Sequence, residues 1–338
     1  MQSWKNPPPA ADRPGQPPPP RLLALFGFAS GLASFFLVER KESLASIIAI
    51  VMLVSWAWLL LENLLTRSLS RWLGLELPPP LLRYATQMVH QESLFFVLPF
   101  FFTTTTWNSG QAAFTLLLGL AALVSITDPL YYRWLAPRRW AFMAFHCLTL
   151  FAVLLTTLPL IYQLATPQSY RLALACTMLL AFPSLLGALN GQNWRRRLLL
   201  IGLLAALGGA GWWARTWVPP ATLWLNAVAV TQEIDGRTRK PGANLKRIEL
   251  ARLQARGLYA YTAIHAPRGL NERIYHVWRH AGREVDRIPL EIRGGRQEGY
   301  RAWSHKRHFP ANSPGRWEIR VQTEAGQLIG VLRFRVDE

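Results

Sequence analysis

Apolar and polar positions follow two different rhythms along this chain of 338 residues. Between Leu22 and Val218 the apolar residues gather into seven long runs, at 22–38, 44–65, 86–106, 111–128, 140–162, 170–189 and 198–218. Runs of roughly 17–25 apolar residues, rising about 1.5 Å each, cross a hydrocarbon core about 30 Å thick. Backbone amides in lipid must find partners within the protein, so each run is predicted to be a helix. From about residue 221 the rhythm shortens to two. Trp317, Ile319 and Val321 share one face, with Arg316, Glu318 and Arg320 opposite. Leu328, Leu332, Phe334 and Val336 repeat the pattern, with Gly330 in register, and Ile288, Leu290 and Ile292 form another face. One buried side and one wet side is the signature of antiparallel sheet. Turn signals separate these runs at Asp235-Gly236, Pro267-Arg268-Gly269, Ala281-Gly282, Gly294-Gly295, Pro314-Gly315 and Ala325-Gly326. The expected architecture is a membrane α-helical bundle of about seven transmembrane helices followed by an all-β sandwich of immunoglobulin-like type, with seven or eight strands; a small barrel is the alternative.

The ends of these units are marked by proline. Residues 1–21 hold Pro7–Pro9, Pro14 and Pro17–Pro20, which deny a helix its backbone donors, so a disordered cytoplasmic tail is expected. The stretch 66–83, with Arg67, Arg71, Trp72 and the Pro78–Pro80 break, reads as a short interfacial helix and a turn. The domains are then the tail 1–21, the helical unit 22–218 and the β unit 221–338. Gly27 with Gly31, and Gly202 with Ala206 and Ala210, let helix backbones approach closely, for packing in the bundle or for dimerisation.

Charge sets the orientation. With the N-terminus inside, the cytoplasmic segments carry twelve basic residues: Lys5, Arg13, Arg21; Arg67, Arg71, Arg83; Arg133, Arg138, Arg139; and Arg195–Arg197. The opposite side carries Arg40, Lys41, Arg171 and Arg215. By the positive-inside rule, an odd number of spans places the β unit outside the cytoplasm, in a bacterium the periplasm. Trp107, Trp134, Trp140, Trp194, Trp212, Trp213, Trp217 and Trp224 fall near span ends, as in an aromatic belt. The net charge of +18 would ordinarily suggest nucleic acid, but an extracytoplasmic β unit argues against that partner. Cys147 and Cys176 lie inside apolar runs without metal-site spacing and read as small hydrophobes.

One set of motifs in the β unit is familiar. Tyr261-Thr262-Ala263-Ile264, His276-Val277-Trp278-Arg279-His280-Ala281-Gly282, Gly299-Tyr300-Arg301-Ala302-Trp303-Ser304-His305-Lys306, Gly315-Arg316-Trp317 and Gly326-Gln327 together resemble the bacterial domain of unknown function 2914, over roughly 220–337. The multi-span part looks like domain of unknown function 5924. The resemblance implies a multi-pass bacterial inner-membrane protein and carries over no activity and no catalytic residues.

Three sets of residues are candidates for chemistry. His90, Glu92 and His146 are ionisable groups in predicted spans, where charge costs roughly 2.5–3.5 kcal/mol on insertion scales. They suit a proton relay or polar substrate path in a transporter or membrane-embedded enzyme; otherwise His90 and Glu92 lie at the interface and His146 makes one interhelical bond. His276, Trp278 and His280 share a strand face, which gives a metal site if another strand adds a third ligand and a polar sheet face otherwise. Arg293, Arg296, Arg301, Trp303, Lys306 and Arg307 form the densest basic-aromatic cluster, with Arg301 and Trp303 on one strand face and Ser304 and Lys306 on the other. Guanidinium forks with an aromatic plane suit an acidic glycan, an anionic lipid headgroup or an envelope protein; the alternative is a solvated strand anchored by Trp303. No Gly-rich phosphate loop, HExxH or GxSxG occurs, and the sequence calls for no cofactor and no resident metal. The leading expectation is a non-enzymatic protein in which a lipid-embedded bundle anchors a binding domain.

Overall fold

The computed structural model describes Ile47, Ile50, Val51, Leu53, Val54 and Trp56 of one helix, then residues 79–188, 194–310 and 312–338. The Pro-rich tail, the first apolar run with Gly27 and Gly31, most of the second run, and Arg67 and Arg71 lie outside the described residues.

Long helices occupy the places of runs three to seven: α1 (Pro79–Thr104), α2 (Gln111–Ile126), α3 (Arg139–Tyr162), α4 (Thr166–Ala188) and α5 (Trp194–Trp213). α1 starts seven residues ahead of its apolar run because the prolines expected to break the chain instead open the helix. A proline in the first turn gives up an amide that has no intrahelical partner anyway. Pro129 acts in the other sense: α2 ends before it, and the π-helical turn Pro129–Leu135 leaves at 97° to α2. By length and composition, two described helical segments can cross a membrane, Arg139–Tyr162 and Leu198–Trp217, and a third if the bent pair counts as one span. That is fewer than the seven expected. α1 falls short because its first half carries Arg83, Gln87, His90, Gln91 and Glu92. Phe96, Val97, Phe101, Leu118, Leu150, Val153 and Tyr170 pack with Trp56 into the bundle core.

The C-terminal part is a β-sheet-rich domain. Its strands are β1 (Trp224–Thr231), β2 (Arg247–Glu249), β3 (Leu258–His265), β4 (Asn271–His280), β5 (Arg283–Arg293), β6 (Tyr300–Lys306), β7 (Gly315–Thr323) and β8 (Leu328–Asp337); the short helix α6 (Leu250–Arg256) follows β2. β1-β3-β6 form one sheet and β2-β8-β7-β4-β5 the other. All pairs are antiparallel except β2 with β8. One core lies between the sheets, with Leu258, Ala260 and Ile264 from the first facing Trp278, Trp317, Ile319 and Phe334 from the second. Period-two alternation put the right residues inside on β5, β7 and most of β8; at the start of β8 a register shift buries Ile329 in the core in place of Leu328. Ala281 and Gly282 both take positive φ, 48° and 79°, the pattern that lets a two-residue turn follow the twist of the β4–β5 hairpin.

The β domain is seated on one end of the bundle. Gln111 at the start of α2 donates from Nε2 to the Leu328 carbonyl at 2.8 Å. The backbone N and Oγ1 of Thr166, opening α4, donate to Glu272 Oε2 at 2.7 and 2.9 Å. Past α5, Arg215 Nε donates to Ala325 O, and Gln327 Nε2 donates to Val218 O, both at 2.9 Å. A Cβ on Gly269 would lie 2.3 Å from Gln163 Oε1, so the β3–β4 loop also fits closely against the α3–α4 connection.

Candidate functional site

The bundle holds a buried polar cluster. His90 sits mid-way along α1 and His146 two turns into α3; packing of these helices brings His90 Nε2 within 2.9 Å of His146 Nδ1. The other nitrogen of His90, Nδ1, is 2.9 Å from the hydroxyl of Tyr131 on the π-helical turn. Both His90 and Tyr131 are buried. Trp56 closes the cluster: its ring lies 4.6 Å from that of His146, and its indole N–H donates to Ser93 Oγ at 2.9 Å. On the same helix Gln87 donates to Ser125 O and to Asp128 Oδ1, both at 3.0 Å. Two proton arrangements satisfy the row Tyr131–His90–His146. In one, Tyr131 donates to His90 and His90 to His146; in the other, both bonds run the opposite way. Converting the first into the second by proton transfer requires Tyr131 to take up a proton behind the one it gives and His146 to release one from Nε2. Glu92, half-buried, follows His90 by two residues and so is turned about 200° around the helix from it.

The β-domain candidates separate. His276 and Trp278 are fully buried, and their strand face looks into the core rather than forming a polar surface. His276 Nδ1 is 2.9 Å from Ser304 Oγ, and its Nε2 is 3.2 Å from Thr262 Oγ1. Trp278 Nε1 donates to Ser304 Oγ at 3.3 Å. Burial pushes the His276 pKa down to about 3, so the ring stays neutral and bridges the two sheets. Among the described residues no group of three His, Cys, Asp or Glu could hold a metal ion. Lys306 faces the same interior; Nζ donates to Asp286 Oδ2 at 2.8 Å, with the Lys306 side chain 8% exposed. Arg301 faces out but bonds to Thr238 O and Glu298. Trp303 packs with Ala229, Tyr261, Ala263 and Ile234 in a small second cluster. Arg296, exposed, lies over the Tyr300 ring at 5.1 Å. The densest basic-aromatic segment is therefore divided between two faces and largely satisfied by its own domain.

Sequence reading placed His90 and His146 in the bundle but missed Tyr131, Trp56 and Ser93, whose positions depend on helix packing. It also missed Glu272. The buried Glu272 carboxyl is held up at a pKa of about 7, chiefly by desolvation; the two Thr166 bonds pull it down, and Glu324 adds a small rise.

Two family models match the chain. The family of unknown function DUF5924 covers residues 17–260, and the protein of unknown function DUF2914 covers 271–336. The second is shorter than the expected 220–337, because β1, β2 and the first three residues of β3 fall under the first. No curated protein and no solved structure matches. Matched over residues 17–260, the chain belongs to the family of unknown function DUF5924.

Proposed function

We propose that the protein is a multi-pass membrane protein whose helices hold the β domain outside the cytoplasm as a recognition module for an envelope component. The observation that carries this reading is the seat: the α1–α2 connection, the α3–α4 connection and the end of α5 all meet the β domain. The opposite end of the same helices carries Arg83, Arg133, Arg138, Arg139 and Arg195–Arg197. Alternating helices with basic residues at one end and a folded domain at the other fit a bundle crossing a bilayer, basic side in. Leu198, Leu199, Ile201 and Leu203 are exposed on α5, as are Leu116, Leu117, Leu120 and Leu123 on α2, and apolar faces of that extent call for lipid. Exposed Trp107, Trp213 and Trp217 flank the seated end, and exposed Trp134, Trp140 and Trp194 the other. Two sheets on one core support the sandwich reading of the module.

Reporter fusions to the full chain test the orientation. A phosphatase that folds only outside the cytoplasm should be active at the C-terminus and inactive in the 129–138 turn, and a cytoplasm-only fluorescent protein should do the reverse. The opposite pair of results rules the reading out.

A second reading is favoured by the 2.9 Å contact between His90 and His146: the bundle itself moves protons. Proteoliposomes should then dissipate a pH gradient, and His146→Gln, by breaking the row at its end, should abolish the flux while leaving the protein folded. Equal flux with and without protein removes this reading.

A further inference from the structure

Strand register sets three arginines side by side. Arg316 of β7 lies opposite Arg335 of β8, and Arg335 lies opposite Arg247 of β2. Their neighbours Trp317, Val336 and Ile248 point into the core, so the three guanidinium groups stand on the outer face of the five-stranded sheet, and all three residues are exposed. Neighbouring strands are about 4.8 Å apart, so three positive charges fall within about 10 Å. Like charges directly opposite each other destabilise a sheet. Among the described residues only Arg335 of the three has an ion pair, to Asp337 at 3.2 Å. In the next row Glu318 lies between Arg333 and Arg279, so charge alternates in sign as sheet stability favours. The uninterrupted arginine row therefore sets like charges side by side with a single ion pair, from Arg335, to offset their repulsion.

Its position narrows the occupant. Arg316 lies near the start of β7, and Thr323 at the other end of that strand leads into the turn that meets the bundle. Seven residues at about 3.4 Å each put the row roughly 24 Å along β7 from the turn that meets the bundle. The headgroup layer on each side of a bilayer is only about 5–8 Å deep, a small part of that length, which favours a soluble chain over lipid as the occupant. Eighteen of the 21 basic residues after position 220 are arginine, the side chain whose planar fork takes a carboxylate with two bonds. A row of forks on a flat sheet fits an extended chain whose charges are about one strand spacing apart; polyphosphate crowds its charges more closely.

We propose that Arg247, Arg335 and Arg316 form a docking row for a linear acidic polysaccharide with one carboxylate per sugar. This deepens the reading of the β domain as a recognition module by naming its ligand class. The test uses the full chain in nanodiscs of uncharged lipid, which present the β domain to solvent whatever its orientation in the cell, and measures binding to polygalacturonate, polyphosphate and duplex DNA. The parent should bind polygalacturonate in preference to the other two. The triple variant R247Q/R316Q/R335Q should lose roughly 100-fold in affinity, as expected for removal of three solvent-exposed ion pairs. A control, R237Q/R239Q/R268Q, removes as much charge from exposed positions outside both basic clusters and should stay within about threefold of the parent. The triple variant should also melt at or above the parent temperature, because repulsion is relieved. No binding by the parent, preference for polyphosphate or DNA, an equal loss in the control, or a lower melting temperature of the triple variant would each overturn the docking row. The fusion experiment is independent of these results, so failure of the row leaves the orientation standing.

Discussion

Glu272 gives the seat a pH dependence. Its folded pKa of about 7 lies above the ordinary carboxylate value of 4.5, so the folded protein holds a proton that the unfolded chain has released. Stability from this group is fully present below pH 4.5 and is lost as pH rises through 7; the shift corresponds to about 3 kcal/mol. Glu272→Gln keeps an oxygen for the Thr166 donors and removes the titration. Urea midpoints measured from pH 5 to 8.5 should fall for the parent relative to the variant; parallel curves would show that the carboxyl does not titrate in this window. Trp278, fully buried between the sheets, provides a second measurement. Trp278→Ala should cost about 3–5 kcal/mol, read as a lower denaturant midpoint of the β-domain transition.

At the scale of elements, one glycine fixes how the loops around β4 pass each other. A Cβ on Gly294 would come 1.8 Å from the Pro267 carbonyl oxygen, a backbone atom with little room to move. Gly294→Ala should destabilise the β domain by roughly 1–3 kcal/mol and raise amide exchange at Ala266–Leu270 and Gly294–Gly295; unchanged exchange would mean the loops yield freely. The elements themselves were largely legible. Helix positions followed from apolar runs and strand faces from period-two alternation, because both are local properties of the chain. Lys306 and His276 show where local reading stops. Their burial was hidden because charged and polar residues on an inward face are recognised only by their partners, Asp286 and Ser304, which lie 20 and 28 residues away. The seat was less legible still: Gln111 meets Leu328 across 217 residues and Thr166 meets Glu272 across 106. Among the described residues fewer helices are long and apolar enough to cross a membrane than the runs there suggested, and α1 shows one reason, since it combines enough length with many polar groups.

For the whole molecule, the boundary between the two family models has a physical consequence. It falls between residues 260 and 271, within or just past β3, yet β3 pairs along its length with β6, from Leu258↔Lys306 to Ile264↔Tyr300. A fragment of 271–338 would retain β4–β8 but lose β3, the one strand paired with β6, together with β1 beyond it, β2 at the edge of the other sheet, and the Leu258, Ala260 and Ile264 side of the core. It should self-associate through its bare strand edges, whereas a fragment of 219–338 should stay monomeric by size-exclusion chromatography with a native-like near-ultraviolet spectrum; equal behaviour would show that the second model region closes without β1 and β3. On its own, the 271–338 segment of this chain would need strands from elsewhere in place of β1, β2 and β3 to shut its interior.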